Sequence, residues 1–307
     1  MAAQDPHYSS VGLLLPFEGA TGSVRSFSDF APSPKALIVG GNTQISATSK
    51  WGNGAVYLDG SGDYLRVPYV STLSISGDFT LEVWVNASSS PPDNIGAIVS
   101  QDYGSGTTPF LFALINGSGT WLAYYYSAGA SEWSVVNGLL CGSGLAFGTW
   151  YHFAICRAGQ VYRGFRDGVL INSVTAANNP GSKTVEWIIG TARDRIGTPF
   201  KGYLQDLRFT QYARYTANFT PPGRLVIPQY PDYGSPLTAI GNNLTIAGNG
   251  AGDSVAIIDA TTKTLVKVVD PATNGDWTAS IPAGDYYVLY FGDGCQPIAH
   301  GPYTVSA

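Results

Sequence analysis

The chain has 307 residues, of which 44% are hydrophobic and 12% charged, about half the charged share usual for soluble domains. Its net charge of −5 leaves no basic field to attract phosphates, which excludes nucleic acid as a partner on electrostatic grounds. Thirty-eight glycines, 19 prolines and 19 Tyr, 13 Phe and 7 Trp against a single Met point away from helix-rich folds and towards many short strands joined by tight turns.

In chain order, MAAQDPHYSS carries no positive segment, and the apolar run Val11 to Phe17 is too short for a signal peptide or a membrane span. The protein is therefore expected to be made and kept in a cytoplasm. AVYLDGSGDYLRVP reads as two short strands about Gly60-Ser61-Gly62, a hairpin candidate because glycine supplies positive φ at low cost. In GDFTLEVWVNAS, Phe79, Leu81, Val83 and Val85 alternate with Thr80, Glu82, Trp84 and Asn86, the period of a strand. PFLFALI, TWLAYYYSA and SEWSVV are rich in aromatic and β-branched residues between Gly, Ser and Asn clusters and read as further strands. WYHFAICRAGQVYRGFRDGVLINSV reads as a three-stranded meander, with Asp167-Gly168 a favoured pair for its second, type I′ turn.

This alternation of strand and turn predicts an all-β fold, an antiparallel jelly-roll β-sandwich over residues 1–223. TPPGRLVIPQYPDYGSP holds five prolines, which forbid regular ladder bonding and favour an extended connector at 224–235. Residues 236–307, with LTIAG, SVAIID, TLVKVVD, WTASI, YYVLYFG and PYTVSA, fit a second, smaller, Ig-like or fibronectin-like β-sandwich of about seven strands.

Little in the chain suggests catalysis. Its glutamates, Glu18, Glu82, Glu132 and Glu186, each stand alone in their segments, whereas glycoside hydrolysis needs a facing pair of carboxylates. His7, His152 and His300 lack partners at zinc-ligand spacing, and no GxSxG elbow occurs. His152 shares a predicted strand face with Ala154 and Cys156 and is expected to be a structural histidine. Cys141, Cys156 and Cys295 are odd in number and share no short spacing, so buried free thiols are expected rather than a disulfide framework. No enzyme activity and no metal centre are expected from these residues.

LDGSGDYLRVP, GDFTLEVWV, TWYHFAICR and FRDGVLI, in that order, resemble the laminin-G-like, concanavalin A-like superfamily over roughly residues 11–222. GYLQDLRFTQYARYTANFTPP, through Gly202, Leu204, Asp206, Arg208, Ala213, Arg214, Tyr215, Thr216, Phe219, Pro221 and Pro222, resembles the closing strand and tail of the version found in bacteriophage tail and virion proteins. The C-terminal segment is similar to small carboxypeptidase-regulatory-like or fibronectin-like sandwiches. Some laminin-G-like domains hold calcium, and the resemblance makes Asp102, Asp167 and Asp194 the loop candidates for it. Gln205, where an acidic residue is frequent, and Arg166, where an apolar one is usual, depart from the family pattern. Turn-forming aspartates are the favoured reading of all three.

The resemblance implies a phage virion component without enzymatic activity, in a tail fibre, tail tip or head decoration, made in the host bacterial cytoplasm and present as a homo-oligomer or in many copies. Its lectin-like jelly roll is expected to contact a host-surface glycan or neighbouring virion proteins. The alternatives are an assembly-only decoration protein and, disfavoured, a glycan-processing enzyme. Sugar sites set aromatic faces against C–H surfaces, and the density of aromatics beside Gly- and Ser-rich turns makes Tyr103, Trp121 and Trp133 the candidate carbohydrate-binding residues.

Overall fold

The computed structural model describes residues 5–19, 21–23, 27–52, 54–91, 94–101, 110–116, 120–126, 135–176, 184–192, 198–224, 238–239, 245–249, 254–262, 264–269, 276–281, 284–291 and 298–305. The chain divides into two compact units, Met1–Ile227 and Pro228–Ala307. Among the described residues, regular structure consists of strands and two single 3-10 turns, Tyr8–Ser10 and Ser71–Leu73. None of these is a helix long and apolar enough to cross a membrane.

The strands of the first unit are β1 (Val11–Leu15), β2 (Ile38–Gly40), β3 (Gln44–Ser46), β4 (Ala55–Asp59), β5 (Tyr64–Val67), β6 (Phe79–Ala87), β7 (Ile95–Gln101), β8 (Phe110–Asn116), β9 (Thr120–Tyr126), β10 (Val136–Ser143), β11 (Tyr151–Ala158), β12 (Val161–Arg166), β13 (Val169–Thr175), β14 (Trp187–Ile189) and β15 (Lys201–Thr210). One sheet runs β13-β12-β11-β6-β15-β4-β3, with β1 also paired to β15, and the other runs β10-β9-β8-β7-β14-β5-β2. All of these strand pairs are antiparallel. This is a jelly-roll sandwich.

Strand alternation builds the core between the sheets. Phe79, Leu81, Val83 and Val85 of β6 and Leu204, Leu207 and Phe209 of β15 meet Phe110, Phe112 and Leu114 of β8 and Trp187 and Ile189 of β14 in one buried cluster. Phe209 is fully buried in it, with ring centroids 4.8 Å from Trp187 and 5.9 Å from Phe79.

The β11-β12-β13 meander forms as its alternation predicts. Asp167 and Gly168 both adopt positive φ, 50° and 78°, as a type I′ turn requires. The Asp59–Asp63 segment departs from expectation. It is not a hairpin, because β4 pairs with β3 and β15 while β5 pairs with β2 and β14. The Asp63 carboxylate, 2% exposed, accepts backbone N–H bonds from Asp59 at 2.9 Å and from the distant Asn42 at 2.7 Å. These bonds turn the glycine-rich segment into a corner that carries the chain from one sheet to the other.

In the second unit, β16 (Thr238–Ala239), β17 (Thr245–Asn249), β18 (Ser254–Asp259), β19 (Leu265–Val269), β20 (Asp276–Ser280), β21 (Gly284–Phe291) and β22 (Ile298–Val305) form two sheets, β16-β17-β20 and β19-β18-β21-β22. Val255, Ile257, Ala279, Ile281, Tyr286 and Val288 are buried together between them.

Replacing Phe209 with Ala leaves a cavity among aromatic neighbours that cannot easily collapse. The expected loss is about 3–5 kcal/mol of first-unit stability, read by urea denaturation with tryptophan fluorescence; a loss within error of zero would place Phe209 outside the packed core.

Candidate functional site

The outer face of the β6-containing sheet carries the chain's described concentration of polar and aromatic side chains. β6 turns Thr80, Glu82, Trp84 and Asn86 away from the core, yet every one of its nine residues is buried, because this face is itself partly covered. Backbone register arranges it in rows across the strands. Gln44, Tyr57, Tyr203 and Asn86 form one row across β3, β4, β15 and β6. Gln205, Trp84 and His152 form the next, and Arg208, Glu82 and Ala154 the one beyond.

The segment after β15 seals the last row. Thr80 Oγ1 donates to the Tyr212 carbonyl and accepts from the Arg214 N–H, both at 2.9 Å. The Tyr215 and Phe219 rings stack 3.5 Å apart at 3°, and Ala213, Tyr215 and Phe219 pack over Ala154, Cys156 and Phe165. The Phe219 N–H bonds to the Gly168 carbonyl at 2.8 Å. A Cβ on Gly168 would lie 1.9 Å from the Phe219 carbonyl oxygen, so the turn glycine also makes room for the tail.

Beneath this cover lies Glu82, 1% exposed. Its carboxylate pairs with Arg214, accepts the Tyr215 hydroxyl at 2.9 Å and lies 3.9 Å from Arg208 Nε. Arg208 is in turn held by Asp5 at 2.5 Å and by Thr210 Oγ1 at 2.9 Å. A charge removed from water is tolerated when it is paired and its lone pairs are filled, and both conditions are met. His152 Nε2 lies 3.4 Å from Glu82, but that carboxylate is already committed to arginine. Burial dominates and lowers the imidazole pKa to about 4, against smaller opposing effects of Asp167 and Asp206. His152 is a neutral structural residue wedged between Trp84 and Phe219.

The first row is partly exposed at Gln44, Tyr57 and Tyr203, while Asn86 at its β6 end is buried and donates to the Gly148 carbonyl. The Tyr57 and Tyr203 ring centroids are 5.0 Å apart. Residues 49–52 wall one end: the Lys50 N–H donates to Gln205 Oε1 at 2.8 Å and Trp51 Nε1 to Asp206 Oδ2 at 2.8 Å. Lys50 Nζ sits 4.4 Å from the Trp84 ring centroid and 5.6 Å from that of Trp51, a cation–π arrangement, and the two indoles meet edge to face at 5.5 Å. Density of aromatics along the chain does not pick out Tyr57 and Tyr203, which are far apart in sequence. The usable signal is an aromatic at an outward strand position, Tyr57 between Val56 and Leu58 and Tyr203 between Gly202 and Leu204.

Of the aromatics singled out from the sequence, Tyr103 and Trp133 lie outside the described residues. Trp121 stands in β9, in register with Ile115 and Ser143. Asp102, Asp194, Glu132 and Cys295 also lie outside the described residues. Asp167 is occupied as a turn residue whose carboxylate accepts the His152 N–H at 2.9 Å. Among the described residues no group of three or more His, Cys, Asp or Glu side chains could hold a metal ion. Cys141 and Cys156 are buried free thiols, and burial pushes both pKa values up.

Two antiparallel sheets enclosing one core, with an aromatic-polar outer face, define a lectin-like jelly-roll protein. The chain belongs to the concanavalin A-like lectin/glucanases superfamily, whose Laminin_G_3 family model matches residues 59–218, more than half of its 307 residues. No curated protein sequence matches it. Among solved structures it is similar to the botulinum neurotoxin serotype D binding domain, at 14% identity over 97% of this chain and 71% of that one with a TM-score of 0.53. The binding domain of Paraclostridial Mosquitocidal Protein 1 aligns at 11% identity over 92% and 76%, with a TM-score of 0.51. Domain 4 of AbnA, a GH43 arabinanase from Geobacillus stearothermophilus, aligns at 18% identity over 66% and 93%, with a TM-score of 0.47.

Two outcomes follow from the buried cluster. Glu82→Gln removes the charge that compensates buried guanidinium groups and is expected to cost about 3–5 kcal/mol, measured by urea denaturation at pH 7. The second concerns acid. The unfolded chain protonates His152 near pH 6.5 and the folded chain only near 4, so this group's contribution is complete above pH 6.5 and is lost as pH falls towards 4, by at most about 3 kcal/mol. His152→Gln should therefore flatten the dependence of unfolding free energy on pH between 7 and 4.5. An unchanged slope would mean that His152 is not buried neutral.

Proposed function

We propose that this chain is a non-catalytic, lectin-like component of a bacteriophage virion, made in the host cytoplasm and displayed in many copies, whose jelly roll binds a host-surface glycan through the partly exposed row of its outer face. The observation that carries the binding reading is the contrast between the two halves of that face. Tyr57 and Tyr203 present partly exposed rings beside the partly exposed amide of Gln44, the combination of flat apolar surface and a directed polar group that suits a sugar ring. Glu82, on the same face, is sealed under residues 211–222 and tied to two arginines and a tyrosine. It is withheld from the acid or nucleophile role that hydrolysis requires, where two carboxyl groups must flank the bond roughly 5–10 Å apart.

The virion setting is supported by the resemblance of residues 202–222 to the closing tail of phage proteins, and the second unit fits an accessory sandwich of the carboxypeptidase-regulatory-like or fibronectin-like kind. Many copies would let weak single sites suffice through effective concentration. Tyr103, Trp121 and Trp133 form the competing location for the glycan on the same jelly roll.

The test is a glycan array with the purified chain and the variants Tyr57→Ala, Tyr203→Ala, Tyr103→Ala, Trp121→Ala and Trp133→Ala, with thermal midpoints measured alongside. Loss of about tenfold or more in affinity on truncating Tyr57 or Tyr203, with little change in midpoint, is expected for a binding anchor. A loss confined to the other three moves the site to those residues. Release of reducing ends from any bound glycan, abolished by a single Asp or Glu substitution, would refute the non-catalytic reading, and capture of a virion protein with no glycan bound would favour an assembly role.

A further inference from the structure

Within that glycan-binding reading, on which the inference rests, we propose that the ligand is an anionic glycan, one carrying carboxylates, with a sugar ring on the Tyr57–Tyr203 pair and its acid groups received by Lys50 and Lys201. Side chains two positions apart on a strand share a face and lie about 7 Å apart. Lys201, Tyr203 and Gln205 therefore follow one another along the outer side of β15, and the Lys50 backbone is fastened to Gln205. The tyrosine pair thus lies between two lysines, separated by about 13 Å along the strand direction.

Among the described residues no carboxylate lies within ion-pair distance of Lys50 or Lys201, nor of Arg163 or Lys267, whereas Lys35, Arg66, Arg166, Arg208, Arg214 and Arg224 each have one. The carboxylates of Asp206 and Asp59 each accept a hydrogen bond. Asp206 accepts the Trp51 indole N–H. Asp59, the cross-strand partner of Lys201, accepts the Ser61 N–H at 2.7 Å in the sheet-crossing corner. Lys50 is also held in place, since its ammonium rests against the Trp84 and Trp51 rings, so less side-chain entropy is lost when an anion arrives. In a chain of net charge −5, two lysines without an ion pair among the described residues, bracketing a partly exposed aromatic pair, select for a ligand with the opposite charge.

The experiment measures binding of the full chain to oligogalacturonate, α2,8-linked oligosialic acid and hyaluronan oligomers, each against its carboxyl-reduced counterpart, by isothermal titration at two salt concentrations. At least one acidic oligomer should bind about tenfold or more tightly than its neutral form, and the difference should shrink at high salt. Lys50→Gln and Lys201→Gln should each weaken the acidic ligand with little effect on the neutral one. Lys50→Arg, which keeps the charge and the ring contact, should retain binding, and Tyr203→Ala should weaken both forms. Equal affinity for acidic and neutral forms, or Lys→Gln variants that bind the acid like wild type, overturns the charge inference and leaves glycan binding standing. Binding of no oligomer, acidic or neutral, overturns both.

Discussion

The burial of Glu82 on the outward side of a central strand is the constraint around which the jelly roll closes. An isolated carboxylate there would cost several kcal/mol even after relaxation, so its partners must be assembled from wherever the chain can supply them. Arg208 comes from β15, Arg214 and Tyr215 from the segment beyond it, and Asp5 from the N-terminal region, holding Arg208 in turn. Both ends of the first unit are thereby fastened to its middle strand. The ring stack of Tyr215 on Phe219 and the fit of Phe219 against Gly168 then exclude water from the cluster, which strengthens every electrostatic contact inside it.

That closure divides one sheet face into two chemical environments. Under the tail, charge is spent internally and the imidazole of His152 is held neutral. Beyond the tail's reach, Tyr57 and Tyr203 on strands and Lys50 and Trp51 in the segment between β3 and β4 remain partly exposed, and hydrogen bonds to Gln205 and Asp206 fasten that segment to β15. Groups held by a sheet in this way lose little order on binding. The superfamily contains both lectins and glucanases, so membership alone does not choose between them; the burial of Glu82 among arginines is what supports the proposed binding role.

Much of this was legible from residue order. Alternation in FTLEVWVN sets the inward and outward sides of β6, Asp167-Gly168 marks the turn from β12 to β13, and the tail motif marks the segment that seals the face. What local pattern could not show was decided by distant partners. Gly60-Ser61-Gly62 has the chemistry of a hairpin, but the N–H of Asn42 on the Asp63 carboxylate makes it a corner between sheets. Full burial of Glu82 depends on a tail more than a hundred residues later. The pairing of Tyr57 with Tyr203 likewise appears only when β4 meets β15, whereas local density of Trp and Tyr directs attention to Tyr103, Trp121 and Trp133.

One backbone irregularity reconciles the two halves of the face. Between Gln205, opposite Trp84, and Arg208, opposite Glu82, β15 spends three residues where β6 spends two. This is a bulge, with Asp206 at φ 54°, a left-handed conformation that Asp tolerates better than most residues. Strict alternation onward from Tyr203 and Gln205 would have turned Leu207 and Phe209 out of the core and Arg208 into it. The extra residue reverses the parity, so Leu207 and Phe209 are buried between the sheets while Arg208 reaches Glu82. It also leaves Gln205 and Asp206, adjacent in sequence, both bonded to residues 50–51, which fixes the wall beside the partly exposed tyrosine row. The same single insertion therefore keeps the aromatic core, completes the buried ion cluster and anchors the edge of the exposed surface.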